Sequence, residues 1–340
     1  MLMSAAGDVV HALPLVSALK RERSTCTISW VLQPLPATMV RGHPCVDDII
    51  EFDRSRGASA FSDIRSRLRR REFDLLIDLQ VYFKAGIVTA LADATVKLGF
   101  DRARARDLNW LFTNRKIPPR PIQHVQDQYL EFLDYLHVPY APLEWNIGPW
   151  AAERAWQSEW IAKFQRPVAA IVIATSKPEK DWLPERWAAV CDALYSDYGL
   201  QPVLVGGRSP RELDAERIIM QRSSAPVLSE LGSGLRKLIG MLDASALVLA
   251  PDTGPLHMSV AMNRPVISLL GYTNPKRTGP YRRFHDLMID AYGNKDEAYV
   301  ATMENRPGRM QRITVDDVLR RVDVWRDRYA HAPPWNRSAE

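Results

Sequence analysis

Cysteine is scarce in this chain: Cys26, Cys45 and Cys191 are the only three among 340 residues, and no two stand in a CxxC spacing. An odd, scattered set excludes a disulfide framework and a cysteine zinc site, and leaves three buried thiols as the expectation. Long apolar runs are also missing. The longest, such as "AAIVIA" and "ALVLA", fall far short of the roughly 20 residues that a membrane span requires. The start carries no basic segment followed by a secretory apolar stretch, so the expected location is the cytoplasm. Several signatures are absent too: there is no GxGxxG, no GxxxxGK[ST] and no GxSxG, which argues against dinucleotide, P-loop and hydrolase-elbow readings. No two aspartates stand two apart, so an Asp-x-Asp metal clamp is excluded, and the histidines lack ligand spacing. No metal and no cofactor is expected.

What is present is enough apolar material, 46% of 340 residues, for two domains of roughly 150 residues each. Short runs rich in Val and Ile alternate with segments of helical period, the pattern of parallel sheets covered by helices, an α/β fold. The candidate strands are "CTISWVL", "DDIIEF", "FDLLIDL", "VAAIVIA", "QPVLVGG", "ALVLA" and "PVISLL". Pro184 and Gly199 punctuate one helix, while Ser209, Pro210 and Glu212 open another at capping-box spacing. The Pro- and Gly-rich stretch between about residues 138 and 155 breaks both periodicities, giving domains at 1–150 and 151–329 and a loose tail at 330–340. Only Met1, Leu2 and Met3 precede "SAAGD", too few for the central strand expected there, so the natural start is expected a few residues upstream.

Charge is uneven. The net formal charge is only +5, yet between Arg54 and Arg120 there are 15 Lys or Arg against 7 Asp or Glu, including "RSRLRRR" at 65–71. Such a stretch suits an anionic partner or a solvated helix face equally well. It carries no interleaved aromatic residues, which argues against single-strand nucleic-acid binding.

Two polar turns carry candidate chemistry. In "ALVLAPDTGPLHMS", Asp252, Thr253 and Gly254 sit at the carboxyl end of a predicted strand. Pro255 then opens a helix, and His257 comes round beside the same end. The unpaired amides of a helix start offer a seat for phosphate, although Asp252 or Thr253 acting only as an N-cap explains the pattern as well. In "SAAGDVVHALP", Asp8 and His11 are three apart and share a face if a helix begins there. A carboxylate so held takes a proton from a hydroxyl, or merely caps the helix. Pro14 predicts a kink or a late start. Ser176 and Lys180 follow a strand and would lie at a sheet's carboxyl edge, where Lys180 neutralises phosphate as a point charge or is simply solvated. Glu212 binds a ribose hydroxyl or completes its capping box.

Taken in order, "SAAGDVVHALP", "FDLLIDLQVYFKAGI", "KLGFDRARARD", "EKDWLPERW", "DTGPLH" and "LLGYTNPKRTGPY" resemble the ADP-heptose:lipopolysaccharide heptosyltransferases, glycosyltransferase family 9, over nearly the whole chain. The resemblance implies a GT-B fold of two facing Rossmann-like domains with a cleft between them, the first for the acceptor and the second for the nucleotide sugar. It implies inversion without a metal, with an ADP-sugar donor, an anionic lipopolysaccharide core as acceptor, and a peripheral place on the cytoplasmic face of the inner membrane. On this resemblance Asp8 is the general base, with His11 beside the acceptor. Lys180 is the cation on the donor phosphates, with Ser176 on the same loop, and Glu212 is the ribose or adenine-side contact. Asp252, Thr253, Gly254, Pro255 and His257 form the diphosphate and heptose site, and Lys84 faces an acidic sugar of the acceptor. The chain reads "QVYFKAG" where the family usually has "QGLxKS". A same-family transferase with another donor or acceptor, or a non-catalytic basic surface-binding protein, are the rival readings.

Overall fold

The computed structural model describes residues 1–294 and 296–330, which fall into two compact units, Met1–Asn146 and the described residues from Ile147 onward. The tail expected at 330–340 lies, beyond Ala330, outside the described residues.

In the first unit the order is α1 (Ala6–Glu22), β1 (Ser29–Leu32), α2 (Pro34–Val40), β2 (Asp48–Glu51), α3 (Ala58–Leu68), β3 (Glu72–Ile77), α4 (Phe83–Leu91), β4 (Asp93–Gly99), β5 (Arg115–Lys116) and α5 (Val125–Tyr135). Strands β1 and β2 pair in parallel, and β3, β4 and β5 form a second parallel sheet. Met1 to Met3 form no strand, but they lie between the two sheets and bond to both. Met1 N donates to Ile77 O (2.5 Å) and its carbonyl accepts from Leu79 N (3.0 Å), while Met3 O accepts from Gln33 N (2.9 Å). A cavity of about 70 Å³ lies beside Met1, lined by Val31, Ile50, Phe73 and Ile77 among others. Helix α1 begins at Ala6 and runs through Pro14 to Glu22, so it does not start late. Its residues Val9–Ala18 are buried without interruption, and this packing tolerates the backbone bond that proline cannot make.

The second unit follows as α6 (Ala151–Ile161), β6 (Val168–Val172), α7 (Pro184–Ser196), β7 (Gln201–Val205), α8 (Pro210–Arg222), β8 (Leu228–Ser229), α9 (Leu235–Ala244), β9 (Leu247–Pro251), α10 (Gly254–Ala261), β10 (Val266–Leu270), α11 (Pro275–Thr278), β11 (Met288–Asp290) and α12 (Val315–Arg328). Its six strands are all parallel, in the order β8-β7-β6-β9-β10-β11. Every residue of β6, β9 and β10 is buried, as short runs rich in Val, Ile, Leu and Ala and covered on both faces require. Helix α7 starts on Pro184, and Gly199, at φ +64°, carries the turn after it. Helix α8 has Ser209 as N-cap, with Glu212 reaching back to it.

Strands β6, β7 and β8 run out to one side of the sheet, and β9, β10 and β11 to the other. The order therefore reverses between β6 and β9, and in open α/β sheets ligands collect at the carboxyl ends of the strands flanking such a point.

Candidate functional site

Two segments leave the carboxyl ends at the switch point. One follows β6 and carries Ser176 and Lys180; the other follows β9 and carries Asp252 to Pro255. They are tied together by Lys180, whose Nζ donates to Asp252 Oδ2 at 2.8 Å. The Asp252 carboxylate is a hub. Oδ2 also accepts from the hydroxyls of Thr273 (2.5 Å) and Thr278 (3.3 Å), and Oδ1 lies 3.4 Å from His257 Nε2. Burial works to raise the Asp252 carboxyl, but the charge of Lys180 and the hydrogen bond and charge of His257 outweigh it and hold the group ionised far below the ordinary carboxylate range. Lys180 keeps 17% of its side chain exposed. The pair thus presents a fixed ammonium beside the loop while its counter-charge stays inside.

Helix α10 begins next to this hub. Thr253 is its N-cap in an extended conformation, but the Thr253 side chain makes no capping hydrogen bond. Of the two readings open in the sequence, capping by Asp252 or Thr253 is therefore not what the side chains do; Asp252 turns toward Lys180 and the threonines. Pro255 occupies the first turn, where a missing N–H costs nothing, and His257 is buried. Ser176 is exposed on the loop after β6.

Glu212 is drawn the other way. Oε1 accepts from Gly207 N (2.6 Å), and Oε2 accepts from the Ser209 amide (2.8 Å) and hydroxyl (2.7 Å). The capping box is formed, and it fixes the Gly206–Ser209 loop at the end of β7. A Cβ on Gly207 would lie 2.8 Å from Glu212 Oε2, so a side chain there would displace the carboxylate that closes the loop.

Four further side chains, which no sequence motif singles out, support the site. Thr273 and Thr278 belong to "GYTNPKRTG" after β10, where polar residues between Pro and Gly were the available signal. Asn274 anchors that loop, with Oδ1 accepting from Lys276 N (3.0 Å) and Nδ2 donating to Val300 O (2.8 Å). Asp181, beside Lys180, accepts from the Thr175 amide (2.7 Å) and hydroxyl (2.8 Å) and pairs with Arg211, whose second nitrogen donates to Thr175 O (2.9 Å). This ties the Lys180 loop to the start of α8.

In the first unit Asp8 lies in the first turn of α1, half-buried, and accepts from Ala5 N at 3.0 Å. An acidic group is favoured there by the helix dipole. His11 does not share that setting. It is 4% exposed, its Nδ1 lies 3.3 Å from Gln126 Oε1 of α5, and its ring meets His124 edge-on at 5.3 Å. Packing thus turns it into the α1–α5 contact rather than onto an open face. Lys84 is exposed in the first turn of α4. The loop before it is braced by buried Asp78, whose Oδ1 accepts from Gln80 N (3.0 Å) and whose Oδ2 accepts from Thr89 (2.9 Å) and Asn109 (3.2 Å). Burial pushes the Asp78 carboxyl up. Among the described residues no three His, Cys, Asp or Glu side chains gather as a metal would need.

A Rossmann-ordered parallel sheet with a cation–carboxylate hub at its switch point, joined in one chain to a second parallel α/β unit, is the build of a GT-B glycosyltransferase. The comparisons with known proteins carry this further. The model of glycosyltransferase family 9 (heptosyltransferase) matches residues 62–305, and the chain belongs to that family. The lipopolysaccharide core heptosyltransferase OpsX of Haemophilus influenzae is 30% identical over 291 residues, covering 85% of this chain and 83% of that protein. Lipopolysaccharide heptosyltransferase 1 of Pseudomonas aeruginosa is 26% identical, covering 82% and 80%. Among solved structures, a family 9 glycosyl transferase from Veillonella parvula superposes with a TM-score of 0.80 at 19% identity, covering 95% of each chain. The E. coli heptosyltransferase WaaC with ADP gives 0.73 at 24%, covering 96% of this chain and 97% of that one. The protein is thus an enzyme, a glycosyltransferase of GT-B fold.

Proposed function

We propose that this enzyme moves a heptose from ADP-heptose to the inner core of lipopolysaccharide, with inversion at the anomeric carbon and without a metal. The acceptor is the lipid A-linked acidic sugar or the first heptose, met at the cytoplasmic face of the inner membrane. The relatives' names supply the class of substrate, and the ADP in the WaaC structure supplies the nucleotide. One observation carries the reading: Lys180 is held by buried Asp252 next to the start of α10, where the N-cap Thr253 makes no side-chain cap.

The chemistry follows from these charges. An oxygen of the acceptor attacks the anomeric carbon, the bond from that carbon to the diphosphate oxygen breaks, and ADP leaves with its electron pair. Negative charge grows on the departing diphosphate, where the Lys180 ammonium and the amides at the start of α10 stabilise it. Asp252 does not itself meet the phosphates in this scheme. It orients Lys180, Thr273 and Thr278, and a carboxylate aimed at a diphosphate would oppose binding. The acceptor hydroxyl gives its proton to Asp8. Donor contacts belong to the second unit: Ser176 and Lys180 from the loop after β6, Glu212 on the ribose side through the Gly206–Ser209 loop that it fixes, and Thr253, Gly254, Pro255 and His257 around the diphosphate and sugar. Acceptor contacts belong to the first, with Lys84 on the acidic sugar and His11 positioning α1 against α5.

Turnover tests this directly. ADP-heptose should be consumed with a truncated lipopolysaccharide core ending in an acidic sugar or one heptose, and ADP-glucose or UDP-sugars should not replace it. Val81, standing where the family has glycine, keeps a different acceptor as the second reading, and a panel of truncated cores separates the two. Failure with every core while another nucleotide sugar turns over would overturn the donor assignment.

A further inference from the structure

The first unit exposes an apolar patch that its own core does not use. Two segments meet there: the loop entering α4, with Tyr82 and Phe83, and the short 3₁₀ turn Asn109–Phe112 with the residues before it. They are joined by Arg106 N donating to Val81 O (2.7 Å), by Asn109 Nδ2 donating to Tyr82 O (3.1 Å), and by the rings of Phe83 and Phe112, 5.5 Å apart edge-on. Leu108 stands just before the 3₁₀ turn and Leu111 within it. Phe112 faces inward, where a Cβ on Gly86 would strike its ring. The leucines therefore face out, 55% and 57% exposed, next to Tyr82 at 49% and Phe83 at 43%. Asp107 and Leu108 both hold positive φ, 50° and 61°. This backbone region is uncommon for non-glycine residues and is kept here in a turn that points a leucine at solvent.

Cations border the patch. Arg102 lies over the Trp110 ring at 4.6 Å, and Lys84, Arg102 and Arg106 are exposed, against the single exposed carboxylate of Asp107 in the same turn. Aromatic rings, paired leucines and arginines together suit the boundary of an anionic bilayer, where apolar tips enter the acyl edge and guanidinium groups meet phosphate. We propose that Tyr82, Phe83, Leu108 and Leu111 dock the first unit on an anionic membrane surface. This goes beyond the transfer reaction and rests on that reading only in that the acceptor is lipid-linked. Lys84, next in sequence to Phe83, then stands at headgroup level, where the acidic sugars of such an acceptor begin.

The test uses the full chain and the double variant Leu108→Ser with Leu111→Ser, which touches no residue of the transfer site. Partition is measured by co-sedimentation with vesicles of phosphatidylcholine alone or mixed with phosphatidylglycerol, at low and high salt. The wild type should bind the mixed vesicles, bind neutral ones weakly, and lose affinity with salt. Removing two half-exposed leucines should reduce partition about 30-fold, with the melting temperature unchanged. Arg102→Glu with Arg106→Glu should abolish the preference for phosphatidylglycerol. Equal binding by wild type and the leucine variant, or no vesicle binding by the wild type, overturns the proposal. Concentration-dependent self-association lost in the leucine variant also overturns it, by assigning the patch to a second copy. Turnover on a deacylated, soluble acceptor keeps the two readings apart: it should be equal in both proteins, and its absence from the wild type would count against the transfer reaction alone.

Discussion

Asp252→Asn removes one buried charge and changes the hub by a single atom. In the wild type the carboxylate holds Lys180 at 2.8 Å and takes two threonine hydroxyls. The amide keeps the size and one acceptor oxygen, but it leaves the Lys180 ammonium, only 17% exposed, without its counter-charge. Breaking a buried pair from one side costs about 3 to 5 kcal/mol, and the partial exposure of Lys180 puts this case at the lower end, about 3 kcal/mol. For a unit of this size that corresponds to a melting temperature lower by about 6 to 12 °C. The pH dependence fixes the cause. The folded-state pKa of Asp252 lies below its unfolded value, so its contribution is fully present above the unfolded pKa, about 3.9, and fades as pH falls below that toward the folded value. The gap between wild type and variant in urea titrations should thus be constant at neutral and mildly acidic pH and narrow below about pH 4. A double-mutant cycle with Lys180→Ala should return a coupling of about 2 kcal/mol or more. A variant as stable as the wild type at neutral pH, or a gap that widens in acid, would refute the assignment of Asp252 as the ionised hub.

Three further outcomes follow from the same arrangement. Lys180→Ala should weaken ADP binding and lower kcat/KM by about 10²- to 10³-fold, because the variant loses the ammonium that Asp252 fixes at the switch point, and isothermal titration with ADP checks the first part. Glu212→Gln should relax the Gly206–Ser209 loop, since an amide nitrogen cannot accept from the amides that now bind Oε1 and Oε2; a melting temperature a few degrees lower, by about 1 kcal/mol, is expected with ADP affinity falling in parallel. Activity should survive excess EDTA, and a rate that collapses and returns with Mg²⁺ would remove the metal-free step.

The central strands of the second unit are legible in the sequence because burial on both faces demands unbroken apolar runs, as in "VAAIV" and "VISLL". Strand β4 is harder to pick out: "DATVKLG" does alternate, with Ala94, Val96 and Leu98 between polar residues, but Ala and Gly weaken the strand signal and the preceding α4 runs almost directly into it. Pro14 misleads in the opposite direction, because tertiary burial of α1 overrides local propensity. At the site, Asp252 and Lys180 can be picked out singly from their places beside strands. Their pairing cannot, for 72 residues separate them and only the reversal between β6 and β9 brings them together. Thr273 and Thr278 reach Asp252 because β10, which they follow, pairs beside β9, and a one-dimensional reading assigns such residues to an ordinary Pro/Gly loop. Glu212 was legible as a cap because a capping box is local, closing over three residues. The leucine pair before and within the 3₁₀ turn has no sequence signature, since its exposure depends on where Phe112 packs.

The claim that this fold performs proton-coupled sugar transfer is tested most directly at Asp8, where capping and catalysis predict different results for Asp8→Asn. Asp8 is the third residue of α1, where asparagine can still accept from Ala5 N but gives up the attraction of a charge to the helix dipole, so a purely structural role predicts a stability loss of about 0.3 to 1 kcal/mol and a nearly unchanged rate. A general base cannot be replaced by an amide, and kcat should fall by about 10² to 10⁴. The measurement is kcat with ADP-heptose and a truncated core, taken with ADP affinity and melting temperature on the same preparation. The account predicts a folded, ADP-binding, inactive enzyme; turnover near that of the wild type would contradict it.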